Sequence, residues 1–144
     1  MAGTVAIGIQ QFNEIRKKGY FYIDKTAFIR EWWEKGDSVT LITRPRRFGK
    51  TLTMSMVEQF FSVKYAGQQN LFEGLAIWET KAYREIQGTY PVISLSFANL
   101  KEPSYELTRQ KVCDQLQQLY TEHAYILESG ILKGADKSFF ERML

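Results

Sequence analysis

With 144 residues the chain has the length of about one domain, and a 44% hydrophobic content is ample for a packed core. A formal net charge of +3 is too small to make nucleic acid a general surface partner, so any such contact must come from local clustering. One cysteine and one histidine exclude an intrachain disulfide framework and a Cys/His zinc site.

The opening "MAGTVAIGIQQF" lacks a basic stretch followed by a long apolar one, and no run of about 18 apolar residues occurs anywhere. A soluble, unexported, cytoplasmic chain with no membrane partner is therefore expected. The segment "IQQFNEIRKKGYFYIDKTAFIREWWEKGD" predicts a short helix stopped at Gly19, an extended piece, and a second helix. Asp24 or Thr26 would N-cap that second helix, with Phe28, Ile29, Trp32 and Trp33 at helical spacing and Gly36-Asp37 as its end.

"SVTLIT", residues 38 to 43, is a β-branched run of strand length that leads straight into "RPRRFGKT", residues 44 to 51. Residues 50 to 63 then carry Leu52, Met56, Phe60 and Val63 at spacings of four, four and three, which predicts a helix. A turn and a small helix are expected in "LFEGLAIWETKAYREIQG", and a second strand over 91 to 97, where Pro91 can stand at a strand's first residue. A long helix is predicted from Pro103, with Val112, Leu116, Leu119, His123 and Ile126 on one face. Burial habits make His123 and Cys113 core or core-edge residues rather than chemical groups. The closing "ADKSFFERML" reads as a helix start capped by Asp136 or Ser138, and its nearness to the last residue suggests an incomplete domain.

The chemistry concentrates between the first strand and the helix that follows it. Arg44, Arg46, Arg47 and Lys50 place four cations within seven residues. Gly49-Lys50-Thr51 fits the end of G-x-x-x-x-G-K-[ST]: the glycine keeps side-chain atoms away from a phosphate, the lysine reaches the β/γ-phosphates, and the threonine offers its hydroxyl to Mg²⁺. Backbone amides at the helix N-terminus, reinforced by its dipole, would supply the rest of the anion site. Such a triplet arises by composition in roughly one chain in ten or twenty, so its weight comes from the strand before it and the helix after it. Arg44 stands where the first glycine usually is, and Pro45 brings no N–H, so the loop's beginning is expected to be stiff and poor in donors. The three arginines could contact phosphate, an acidic partner or a nucleic-acid backbone. A non-catalytic module that docks nucleic acid or an acidic protein is therefore the alternative to a nucleotide site.

The blocks "YIDKT" at 22 to 26, "LITRPRRFGKT" at 41 to 51 and "PVISLSF" at 91 to 97 resemble, in order and spacing, the bacterial AAA-ATPase-like family. Its members are commonly joined to a C-terminal nuclease-like domain of the PD-(D/E)XK superfamily, and their loop normally begins with arginine. The resemblance implies an α/β, P-loop NTPase-like three-layer fold with a partial, mainly parallel sheet and flanking helices. Residues 1–144 would then be the N-terminal portion of the ATPase domain. It implies ATP and Mg²⁺ as cofactors, held by Arg44, Arg46, Arg47, Phe48, Gly49, Lys50, Thr51 and Leu52, with Thr51 as the metal ligand. The acidic motif that would complete the magnesium site and position water is expected beyond Leu144, so the resemblance assigns no catalytic residue, and hydrolysis by these residues alone is not expected. Nucleic acid would be a partner through the complete protein. Asp24 and Lys25 fall in one of the shared blocks, where helix capping is the simpler role.

Overall fold

The computed structural model describes Thr4 and residues 8–144, so half of the stretch scanned for a leader lies outside the described residues. The chain divides into two compact units, residues 1–92 and 93–144. In the first, α1 (Phe12–Lys17), α2 (Ala27–Lys35), α3 (Lys50–Phe61) and α4 (Lys81–Ile86) are joined by extended connections and by three 3₁₀ turns at Val63–Tyr65, Gln69–Leu71 and Ala76–Glu79. The second holds α5 (Tyr105–Glu122), α6 (Tyr125–Glu128) and α7 (Gly134–Met143), with α5 and α7 in contact.

Helical periodicity fixes the first unit's core. Met56 and Phe60, four apart on α3, are fully buried together with Phe12 of α1, Ile29 of α2, and Phe72 and Ile77 from the connections. Phe72 lies between two rings: it stacks on Phe12 at 5.2 Å and meets Phe60 edge-on at 5.1 Å. Each such aromatic pair is worth roughly 0.5–1.5 kcal/mol beyond the area it buries. α2 ends where expected, at Gly36, whose φ of 64° closes the helix in the left-handed region. α3 stops two residues short of the predicted Val63, which falls in a 3₁₀ turn and is exposed.

After α3 the chain is fastened by backbone bonds. Gly88 N–H donates to Phe60 O, Tyr90 N–H to Phe61 O and Val63 N–H to Tyr90 O, each at 2.8 Å. A Cβ on Gly88 would fall 2.7 Å from the Ala66 Cα, so the approach requires glycine.

The expected three-layer α/β architecture is not what forms. Among the described residues there is no strand; the one sheet-like contact is an isolated parallel bridge between Ser62 and Tyr90. Residues 38–43 and 91–97 belong to no ladder. Alternation of apolar side chains specifies extended chain, but a strand also needs a neighbour, and pairing is a tertiary property that the local pattern does not encode. Consistent with missing neighbours, Val39 and Leu41 are 85% and 83% exposed, and Ile93 and Phe97 are 69% and 62% exposed.

The second unit follows its sequence more closely. Ser104 caps α5, its hydroxyl accepting from Leu107 N–H at 3.3 Å. Val112, Leu116, Leu119, His123 and Ile126 are all half-buried, with His123 just past the helix end, whereas Cys113 is exposed and not a core residue. α7 begins at Gly134, capped by Lys133, so Asp136 lies within its first turn and neither Asp136 nor Ser138 is the cap.

Candidate anion-binding loop

The loop at residues 44–49 is held by the helix that follows it. α3 buries Ser55, Met56, Gln59, Phe60 and Phe61 but leaves its first residues, Lys50 and Thr51, exposed. Its C-terminal half is therefore an anchor in the core and its N-terminal turn is open to solvent. Gly49 is the N-cap, with φ 75°, and Arg47 also takes the left-handed region, at φ 68°.

The amide inventory is the telling feature. Thr53 N–H donates to Gly49 O at 2.9 Å, but among the described residues no backbone acceptor takes the N–H groups of Arg46 through Leu52. Pro45, which carries no N–H, lies just upstream of this run, so the donors withheld at the loop's entry are not among those left free. The Thr51 hydroxyl likewise has no protein partner among the described residues. The Lys50 ammonium turns back to donate to the carbonyl of Arg44, linking the two ends of the loop.

A cleft of about 770 Å³ is lined by Arg46, Arg47, Gly49, Lys50, Thr51 and Leu52, with Gly8, Ile9 and Gln10 also on its lining. That volume is in the range of small-molecule sites. A second cleft of about 440 Å³ is lined by Lys25, Ala27, Phe28, Glu31, Ile42, Arg44, Phe48, Lys50 and Thr53. The eight residues singled out from the sequence thus divide: six line the first cleft, Arg44 and Phe48 line the second, and Lys50 is common to both. Five cations, Lys25, Arg44, Arg46, Arg47 and Lys50, stand around the two clefts with Glu31 as their one carboxylate.

Sequence reasoning did not find the wall at Gly8–Gln10. It is positioned by a buried polar cluster: Ser55 Oγ accepts from Phe12 N–H at 3.1 Å and donates to Gln11 Oε1 at 3.1 Å, while Gln59 Nε2 donates to Ser55 Oγ at 3.0 Å. Gln59 and Ser55, one turn apart on α3, therefore fix the segment that enters α1. The signal was present in the sequence as two polar residues on an otherwise apolar helix face.

Asp24 and Thr26 prove to be a clip rather than a simple cap. The Asp24 carboxylate accepts from Thr26 N–H (2.8 Å), the Thr26 hydroxyl (2.6 Å) and Ala76 N–H (2.7 Å), and Thr26 Oγ1 accepts from Ile77 N–H at 3.1 Å. Burial opposes the Asp24 charge, but these hydrogen bonds, with the nearby Arg16, outweigh it and hold the carboxyl below its ordinary pKa. Tyr22 completes the block: it donates to Met56 Sδ at 3.1 Å, and burial pushes its pKa up to about 12. Among the described residues no group of three or more His, Cys, Asp or Glu could hold a metal, and no helix is long and apolar enough to cross a membrane.

A cationic loop opening the helix of a small α-helical unit, with unpaired amides around a cleft, defines a class of candidate phosphate binders. The chain belongs to the AAA-ATPase-like family, described as predicted AAA-ATPase, which it matches over residues 6–143. An uncharacterized protein from the vnfD 5′ region of Azotobacter chroococcum mcd 1 is 38% identical over 92 residues. That match takes in 63% of this chain but 16% of the relative, so the chain spans a small part of the relative's length. No solved structure matches it.

Proposed function

We propose that residues 44–52 bind the phosphates of ATP or a similar nucleoside triphosphate as a P-loop, in one portion of a larger ATPase. The observation that carries this reading is a cleft lined by Arg46, Arg47, Lys50 and Thr51 at the start of α3, where the N–H groups of Arg46 to Leu52 have no backbone acceptor among the described residues. The start of a 12-residue helix, beside a cleft lined by cations and, among the described residues, by no carboxylate, suits a polyanion. On binding, the Lys50 ammonium would leave the Arg44 carbonyl for a phosphate oxygen, trading a neutral acceptor for a charged one.

Magnesium fits in one respect. The unpartnered Thr51 hydroxyl is an oxygen donor beside the phosphate position, and phosphate oxygens and water would supply the remaining ligands, as this ion prefers. Bound there, Mg²⁺ would neutralise phosphate charge; the chain's own share is to bind and orient. Among the described residues no acidic cluster lies beside Thr51 and Glu31 lines the second cleft, so the reading assigns no water-activating residue here. The same reading makes these residues the N-terminal portion of an ATPase domain, working in the cytoplasm, with a nuclease-like domain following and nucleic acid as a partner of the whole protein. The exposed Val39, Leu41, Ile93 and Phe97 are surfaces that further chain would cover.

The test is calorimetric titration and thermal shift of the wild-type chain and Lys50→Ala with Mg-ATP, Mg-ADP and a polynucleotide. Saturable binding of Mg-ATP that Lys50→Ala weakens at least tenfold supports the proposal. Binding to polynucleotide that falls steeply with salt and ignores ATP would replace it with the docking-module reading.

A further inference from the structure

We propose that Lys25 is a second phosphate-binding ammonium of the loop, one that contacts the outermost phosphate and so distinguishes a nucleoside triphosphate from a diphosphate. The inference rests on the nucleotide reading above and adds Lys25, which lies 19 positions before Arg44 and 24 before Gly49 in sequence and is brought against that glycine by the fold.

The geometry begins with what Gly49 excludes. A Cβ on Gly49 would stand 3.2 Å from the Lys25 Nζ, so the ammonium lies against the loop's glycine. Lys25 shares the 440 Å³ cleft with Lys50, Arg44 and Phe48. Two lysine ammoniums therefore serve one cleft beside a left-handed glycine.

Among the described residues Lys25 forms no ion pair. Its sequence neighbour Asp24 is already engaged by three donors from Thr26 and Ala76, and among the described residues neither Asp24 nor Glu31 forms an ion pair with it. Its backbone is nevertheless firmly placed. Lys25 N–H donates to the Tyr22 hydroxyl at 3.4 Å, and the next residue, Thr26, is fully buried and bonded to Ile77. A lysine stem rising from so fixed a base loses less freedom on binding than one on a loose surface turn. Lys25, Arg44 and Lys50 share their cleft with one carboxylate, Glu31, so positive charge is in excess there and a polyanion relieves it.

Position assigns the phosphate. In a loop of this kind the amides cradle the inner phosphates and the loop lysine reaches toward the outer ones. Gly49, Thr51 and Leu52 line the first cleft, Lys50 lines both clefts, and Lys25 lines the second. A chain of phosphates running from the amides past Lys50 meets Lys25 with its last member, which a diphosphate does not have.

The experiment compares wild type, Lys25→Gln, Lys25→Arg and Lys50→Ala by calorimetric titration with Mg-ATP and Mg-ADP, with thermal unfolding as a folding control. Lys25→Gln is expected to weaken Mg-ATP about tenfold and Mg-ADP less than twofold, with Lys25→Arg keeping most of the ATP preference and the unfolding temperatures unchanged. Equal losses for both nucleotides, or no loss for either while Lys50→Ala abolishes binding, would overturn the role of Lys25 and leave the nucleotide site standing. Unaltered binding of both nucleotides by Lys50→Ala would instead remove the site itself, and the Lys25 inference with it.

Discussion

Replacing Gly49 by alanine puts a methyl group 3.2 Å from the Lys25 nitrogen, close enough to push it aside by a few tenths of an ångström, on a backbone held at φ 75°. The left-handed conformation costs a non-glycine residue roughly 1–2 kcal/mol. Lys25 is exposed and flexible at its tip, so displacing it adds little to that cost. Gly36 supplies the matched control: its φ is 64° and an added Cβ meets nothing within 4 Å. Gly36→Ala and Gly49→Ala should therefore lose similar stability, about 1 kcal/mol net, or roughly 3–4 °C in unfolding temperature for a chain of this size. Their ligand responses should part. Gly49→Ala crowds the amide run and pushes Lys25 aside, so Mg-ATP affinity should fall at least tenfold, while Gly36→Ala should bind as wild type. Differential scanning fluorimetry and calorimetric titration on the pair give both readouts. Equal Mg-ATP affinity in the two variants would refute the reasoning, because the same backbone strain would then account for everything the substitution does.

The core makes a larger prediction: Phe72→Ala, which removes the ring between Phe12 and Phe60, should cost about 3–5 kcal/mol in chemical denaturation. Ser55→Ala leaves the buried Phe12 N–H without its acceptor, a loss of about 1–3 kcal/mol, and should also weaken Mg-ATP binding by loosening the Gly8–Gln10 wall. Asp24 predicts a pH dependence. Its folded pKa lies below the unfolded value of about 4, so its stabilising contribution is complete above that value and is lost as pH falls through the folded one. Thermal unfolding between about pH 5 and pH 2 should show that loss in wild type and a shallower slope in Asp24→Asn, whose stability at neutral pH is already reduced; parallel slopes would show that the clip does not depend on the charge.

Helices were legible because their signals are local. Gly19 and Gly36 mark the ends of α1 and α2, and the four-residue spacing of Met56 and Phe60 places both in the core. The strands were not legible in the same sense. "SVTLIT" and "PVISLSF" have the composition and alternation of strands, yet extended chain becomes strand only when another segment pairs with it, and Val39, Leu41 and Ile93 remain exposed for want of one. For the candidate site, the motif pointed to residues adjacent in sequence and could not point across it. Gly8–Gln10 reach the loop through Ser55 and Gln59, and Lys25 reaches it through the Asp24–Thr26 clip, both long-range consequences of how α1 and α2 pack. The shared block "YIDKT" marked the right place, but capping preference alone gave its aspartate and threonine a smaller task than tying α2 to the turn at Ala76–Ile77.

One helix shows how the unit divides stability from binding. From Ser55 onward α3 places Met56, Phe60 and Phe61 in the aromatic core, and Gln59 and Ser55 in the polar cluster that fixes the entry to α1. At its start Lys50 and Thr51 are exposed, and of the first turn Leu52 packs against the core. Unpaired amides at an exposed helix start cost little because water satisfies them. The crowd of cations is the real expense, and it is tolerable only because the apolar half of the same helix holds the turn in place. Had the loop been tuned for stability, carboxylates beside Arg46 and Arg47 would have been the simplest gain; their absence from the first cleft keeps its field available to an incoming anion.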